Sequence, residues 1–151
     1  MKIALMLIFL FAAHNCSVDA PRPQSSDMVG RWKIDITFEG QSKRSLSFNA
    51  EDSDTGSMLL EAQSNWDEPA KPSQAKWTQG AEKRVTILAP VEFPIGNVGR
   101  ETGVLALKGV FKSESKITGD FSFFPMDQDP MDPQATPSKN GKFEATRVGA
   151  H

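Results

Sequence analysis

The stretch MVGRWKIDITFEG, residues 28–40, alternates apolar and polar side chains from Trp32 to Phe38. A period of two places successive side chains on opposite faces of an extended chain, so this stretch predicts a β-strand with one buried face. The strand opens with Gly30-Arg31-Trp32, although glycine weakens a strand. That glycine therefore needs a separate explanation.

The same alternation recurs in seven further segments along the chain. Their apolar positions are Leu46, Phe48 and Ala50; Met58, Leu60 and Ala62; Trp77; Val85, Ile87, Ala89 and Val91; Leu105, Leu107 and Phe111; Ile117, Phe121 and Phe123; and Phe143 and Ala145, followed on the same face by Arg147. Eight short strands joined by Gly, Asn, Asp and Ser turns predict an all-β domain over residues 28–149, either an antiparallel barrel or a β-sandwich.

The lengths of the connections favour an eight-stranded up-and-down barrel. In a meander, successive connections lie at alternating ends of the strands. The second, fourth and sixth connections are short, at residues 52–56, 79–82 and 112–116. The third, fifth and seventh are long, at residues 64–75, 94–102 and 125–141. The short turns are therefore expected at one end of the barrel and the long loops at the other.

With Gly30-Arg31-Trp32 in the first strand and Arg147 in the last, the chain resembles the calycin superfamily, which includes the lipocalins and the smaller, avidin-sized barrels. The resemblance implies a barrel in which Trp32 closes one end and Arg147 packs over its indole ring. Closure of a barrel also pairs the first strand antiparallel with the last, which would bring these two residues together. The alternative is that Trp32 is an ordinary core aromatic of another β-fold.

The N-terminus predicts export. Residues 3–13 are apolar without a charge, too short to span a bilayer but of the length of a signal-peptide core, so residues 1–20 are expected to be a signal peptide. Cleavage after Ala20 competes with a lipoprotein signal that ends before Cys16, which would then carry the lipid. Residues 17–27 are polar, contain two prolines and predict a flexible linker.

Cys16 is the only cysteine, so the domain has no internal disulfide, and the ten phenylalanines and three tryptophans of the whole chain predict an aromatic core. These features favour a bacterial protein that is periplasmic, secreted or anchored to the membrane only through lipid on Cys16.

The composition argues against several kinds of function. A formal net charge of −2 gives no basic footprint for nucleic acid. The two histidines, His14 and His151, lie at the ends of the chain, so no histidine base or histidine metal site is expected. Residues 54–57, Asp-Thr-Gly-Ser, predict a hairpin turn with Gly56 at the position of positive φ. No enzyme activity, cofactor or metal is therefore expected.

One further cluster has metal-ligating side chains. Asp127, Asp129 and Asp132 lie together in one proline-containing segment. They predict a solvated acidic loop rather than a calcium site, because the spacing of a calcium-binding loop is absent.

The predicted function is binding at the long-loop end, which would be the mouth of the barrel. Trp66, Trp77, Phe93, Arg100 and Phe123 are the residues expected at the mouth or in the lumen, and the glycine-rich loop 94–102 is interpreted as a lid. Acidic residues are counted in excess at this end: Glu39, Asp67, Glu68, Glu101, Asp127, Asp129 and Asp132 against Lys71, Arg100 and Lys139. The ligand is therefore expected to be a small apolar molecule rather than an anionic lipid head group.

The alternative is a filled barrel that binds a protein, as a protease inhibitor does, through loops 64–75, 94–102 and 125–141. The volume inside the barrel separates the two hypotheses.

Overall fold

The structure is a computed structural model that describes residues 27–61, 71–95 and 99–149. The predicted signal peptide at residues 1–20, the predicted lipidation site Cys16, nearly all of the linker 17–27, and Trp66 lie outside the described residues. No described helix is long and apolar enough to cross a membrane.

The described chain forms the predicted all-β, antiparallel, eight-stranded up-and-down barrel, which closes by pairing the first strand with both the second and the last. The strands are β1 (Gly30–Phe38), β2 (Lys43–Ala50), β3 (Thr55–Leu60), β4 (Ser73–Gln79), β5 (Arg84–Ile95), β6 (Gly99–Ser113), β7 (Lys116–Pro125) and β8 (Lys139–Arg147). A single 3₁₀ turn, Ala81–Lys83, joins β4 to β5.

The short connections after β2, β4 and β6 lie at one end of the barrel, as the loop lengths predict. We call this end the closed end. The opposite end, the open end, carries residues 39–42, the chain between β3 and β4, the β5–β6 turn and the long connection 126–138. Because β1 runs from the closed end to the open end and β8 runs back, Trp32 is paired directly with Arg147.

The inward face of the barrel is a continuous apolar core. Every second side chain of each strand points inward, and the buried apolar side chains of the described residues are at most 8% exposed. The largest of them include Trp32, Phe48, Phe121 and Phe123. No polar or charged side chain of the described residues is buried. Burial of apolar surface is therefore the main force that holds the strands together.

At several inward positions only glycine fits, because a phenylalanine ring occupies the space that a side chain would need. A Cβ on Gly56 would lie 2.3 Å from the Asn49 carbonyl oxygen and 2.7 Å from the Phe48 ring. The prediction of a positive φ at Gly56 is wrong: Gly56 lies inside β3, and Asp54 takes the left-handed conformation with φ of 58°. The same ring-over-glycine packing joins Phe123 to Gly103, Phe143 to Gly109 and Phe121 to Gly141.

The expected long loop at 94–102 is mostly strand. β5 continues to Ile95 and β6 begins at Gly99, with Pro94 opposite Arg100 and Ile95 opposite Gly99. The prediction of a wide loop is wrong because proline and glycine were taken as breakers, whereas an antiparallel partner strand accommodates both at the end of a hairpin. Residues 96–98 lie outside the described residues, so no lid is assigned to this segment.

Candidate functional site

The two ends of the barrel differ in how they are sealed, and the closed end is sealed by Trp32. Its side chain is 1% exposed, its indole N–H donates a hydrogen bond to the Met28 carbonyl at 2.8 Å, and its ring meets the edge of Phe111 at 5.9 Å between centroids. The guanidinium carbon of Arg147 lies 4.4 Å from the centre of the indole. The contact expected between Trp32 and Arg147 is therefore present, in the geometry of a cation–π interaction.

Arg147 also connects its own strand β8 to two other segments at this end, residues 27–29 and the β6–β7 turn. Its Nη1 donates to the Val29 carbonyl at 2.7 Å, its Nε donates to the Glu114 carbonyl at 3.1 Å, and its Nη2 donates to the Asp27 carbonyl. Gly30 leaves room for this guanidinium, because it has a φ of 128° and an added Cβ would lie 2.8 Å from Nη1. The glycine that opens the first strand is thus explained by its backbone conformation and by the packed arginine.

The open end is sealed by four phenylalanines, which we call the phenylalanine stopper: Phe38, Phe93, Phe121 and Phe123. Phe93 meets Phe38 at 5.7 Å and Phe123 at 5.0 Å, and Phe38 meets Phe121 at 5.1 Å, each time edge to face. Phe93 is 4% exposed and Phe123 is fully buried. The two predicted ligand-binding phenylalanines therefore fill the lumen in this structure.

An ion pair lies over the stopper. Lys139 pairs with Glu101, and its Nζ is 5.4 Å from the centre of the Phe123 ring. The Ser138 hydroxyl donates to the Glu101 carboxylate at 3.2 Å. Both charged side chains continue the inward alternation of their strands, so they stand at the open end where that alternation leaves the apolar core.

A surface cleft of about 550 Å³, which we call the mouth cleft, lies outside the stopper. Phe38 and Phe93 supply its aromatic surface, and polar side chains from the β1–β2 turn and from the start of β8 supply the rest. Its lining residues are Phe38, Glu39, Gly40, Ser42, Lys43, Arg44, Phe93, Ser138, Lys139 and Asn140. Ligand sites in proteins usually have volumes of roughly 300–1,000 Å³.

The charge of this cleft differs from the acidic mouth expected from the sequence. Lys43 and Arg44 line the cleft, but the sequence-based count did not include them. Three cationic side chains line the cleft, Lys43, Arg44 and Lys139, together with one carboxylate, Glu39. The acidic excess counted for the open end therefore does not extend to the lining of this cleft, and the exclusion of anionic head groups stays a prediction.

A second cleft, which we call the wall cleft, opens between β3 and β5 beside the start of β4 and measures about 540 Å³. Met58, Leu60 and Val91 form its apolar part. Arg100 lines this cleft rather than the mouth cleft, and its Nη1 lies 3.7 Å from the Glu92 carboxylate. The structure therefore separates Arg100 from Phe93 and Phe123.

The expected position of Trp77 at the mouth is wrong. Its backbone N–H donates to the Asp54 carbonyl at 2.9 Å, and its indole N–H donates to the Thr55 carbonyl at 2.8 Å. These two bonds place Trp77 beside the β2–β3 turn at the closed end. It is 3% exposed. The reason is that β4 already begins at Ser73, so the chain has crossed most of the barrel when it reaches Trp77.

Sequence reasoning missed Arg44, and it counted Glu101 and Lys139 at the open end without predicting that they pair or that they point inward. The signal was available, because each continues the inward period of two of its own strand. An inward charge contradicts an apolar face, so the period of two was followed only through apolar residues. Among the described residues, no three His, Cys, Asp or Glu side chains are placed to hold a metal ion, and this includes the aspartates of the acidic loop.

No protein-family model matches the chain, and no curated protein matches it with significant similarity.

Proposed function

We propose that this chain is an exported, non-enzymatic, calycin-like binding protein that holds a small, largely apolar molecule in the mouth cleft. The observation that carries this proposal is an aromatic surface, from Phe38 and Phe93, inside a cleft of about 550 Å³. The described lumen is occupied by core side chains, so the proposed site lies outside the stopper, not deep in the barrel.

The calycin part of the proposal rests on the closed end. Trp32 seals it, Gly30 has the backbone conformation that lets Arg147 approach, and the guanidinium stacks on the indole. These contacts join the first strand to the last, as the resemblance implies. The support for kinship with the calycins comes from this local arrangement of Gly30, Trp32 and Arg147.

The non-enzymatic part rests on the chemistry of the open end. Glu101, which stands inward at the mouth, is paired with Lys139 and also accepts from Ser138. A general base must reach the proton that it abstracts. The carboxylate here is held by Lys139 and Ser138, an arrangement suited to a structural role at the open end.

A neutral apolar dye, N-phenyl-1-naphthylamine, tests the proposal by titration of the purified protein. We expect saturable fluorescence, and a rise in melting temperature of about 5–10 °C at a hundredfold excess over Kd. The variant Ser42→Trp places an indole in the cleft and is expected to weaken binding about tenfold or more, because a filled pocket excludes the dye. Thr78→Trp, on the exposed face of β4 at the closed end, is the matched control.

Unsaturable dye binding, or equal binding by Ser42→Trp and the original protein, would refute the mouth cleft as the site.

A second candidate function, recognition of a protein partner, is favoured by one observation. Met126 and Met131 are 58% and 68% exposed on the 126–138 connection. Exposed methionines adapt to varied partner surfaces. Failure of the dye titration together with capture of one exported protein in a Met131-dependent manner would favour that function.

A further inference from the structure

We propose that the molecule held in the mouth cleft is an amphipathic anion, and that Arg44 binds its acidic group while Phe38 and Phe93 contact its apolar part. This inference rests on the proposed function and adds a ligand class to it. Arg44 is the residue that distinguishes an anion from a neutral apolar molecule.

Arg44 is unusual among the charged residues of the barrel. It occupies an inward position of β2, opposite Ile36 of β1, and it is partly buried. Within the described parts of the chain, its guanidinium makes no hydrogen bond or ion pair. A partly buried cation without a compensating partner loses solvation and gains nothing in return. An acidic ligand group would supply that partner, and a guanidinium is suited to bind a carboxylate with two parallel hydrogen bonds.

The neighbouring charges leave Arg44 available for this role. Lys139 lines the same cleft, but Glu101 already neutralises it. Lys43 precedes Arg44 on an exposed outward position and has an interaction of its own. Glu39 is exposed on the β1–β2 turn, where water weakens its field. Arg44 is therefore the cation of the cleft that stands uncompensated next to an aromatic surface among the described residues.

The polar groups around the cleft fit the same ligand. Ser42 and Asn140 line it and offer neutral hydrogen-bonding groups beside the cations. An apolar molecule without a head group would leave Arg44 without a partner. A single-chain carboxylate satisfies both halves of the cleft, because its hydrocarbon covers the phenylalanines and its carboxylate meets the guanidinium.

The test compares two probes of equal hydrocarbon length, decanoate and 1-decanol, both below their aggregation limits. Each is titrated against the purified protein with bound N-phenyl-1-naphthylamine, and displacement is measured. We expect decanoate to bind about tenfold tighter or more, because charge-assisted hydrogen bonds are about twice as strong as neutral ones. Arg44→Gln should abolish the preference and Arg44→Lys should retain part of it. Arg84→Gln, an exposed arginine at the closed end, makes the same charge change and should leave the preference intact.

The outcomes separate this inference from the proposed function. Equal affinity for the two probes, with Ser42-dependent dye binding intact, would overturn the anion inference and leave the proposed function standing. Displacement by neither probe and no saturable dye binding would overturn both. Sedimentation with phosphatidylglycerol vesicles but no displacement by monomeric decanoate would assign the cations to a membrane surface and likewise overturn the inference. Matching melting temperatures of the Arg44 variants without ligand would establish that they fold.

Discussion

Removing the two members of the closed-end seal, singly and together, tests whether Trp32 and Arg147 act as one unit. The perturbations are Trp32→Ala, Arg147→Ala and the double variant. Trp32→Phe serves as a control, because it keeps an aromatic ring below the guanidinium but loses the hydrogen bond to the Met28 carbonyl.

The magnitudes follow from the contacts. Replacement of a fully buried tryptophan by alanine costs about 3–5 kcal/mol of unfolding free energy. Arg147→Ala removes a cation–π contact of about 0.5–2 kcal/mol. It also removes three hydrogen bonds to backbone carbonyls, which water at this end partly replaces. We expect Arg147→Ala to cost about 2–3 kcal/mol and the pair to be coupled by about 1–2 kcal/mol, since contacting residues couple.

The assay is equilibrium unfolding in urea, followed by far-ultraviolet circular dichroism because fluorescence would change with the loss of Trp32. The double variant should be less destabilised than the sum of the single variants, and Trp32→Phe should retain most of the coupling with Arg147. Losses that add to within about 0.5 kcal/mol would refute the reasoning, because they would mean that the stacked geometry contributes no shared energy.

Two further predictions concern the core and the N-terminus. Gly103→Ala should destabilise the barrel by about 1–3 kcal/mol in the same urea assay, because the new Cβ would meet the Phe124 carbonyl oxygen and the Phe123 ring; an unchanged midpoint would contradict the close packing. If Cys16 is acylated, growth with labelled palmitate should mark the protein and Cys16→Ser should abolish the label. An unlabelled soluble protein that begins near Pro21 would exclude the lipoprotein form.

The strands could be predicted from the sequence because a one-sided apolar core leaves a period of two in every strand. The contact of Trp32 with Arg147 was implied by the calycin resemblance, and barrel closure independently brings the two residues together. The predictions that were wrong, the position of Trp77 and the long loop at 94–102, depended on where individual strands begin and end. An early start of β4 moved Trp77 to the closed end, and continuation of the β5–β6 ladder removed most of the expected lid.

The candidate site was predicted less well than the fold. Hydrophobicity located the phenylalanines but could not show that they pack against one another and fill the lumen. Arg44 was not predicted and the inward position of Lys139 was not recognised, because a charge on an inward position is recognised only when the strand's register is known. Gly56 was assigned to a turn by its neighbours, whereas its role is set by a ring on the adjacent strand.

The last strand carries a cation at each end of its inward face, with only glycine and apolar side chains between them. Lys139 stands at the open end and Arg147 at the closed end, each over an aromatic ring. A slip of one residue would turn both cations outward, and a slip of two would move one of them about 6–7 Å toward the apolar core. An unpaired charge in that core costs several kcal/mol. The two cations thus disfavour shifted registers of β8, so that the last strand pairs with β1 and β7 in one register.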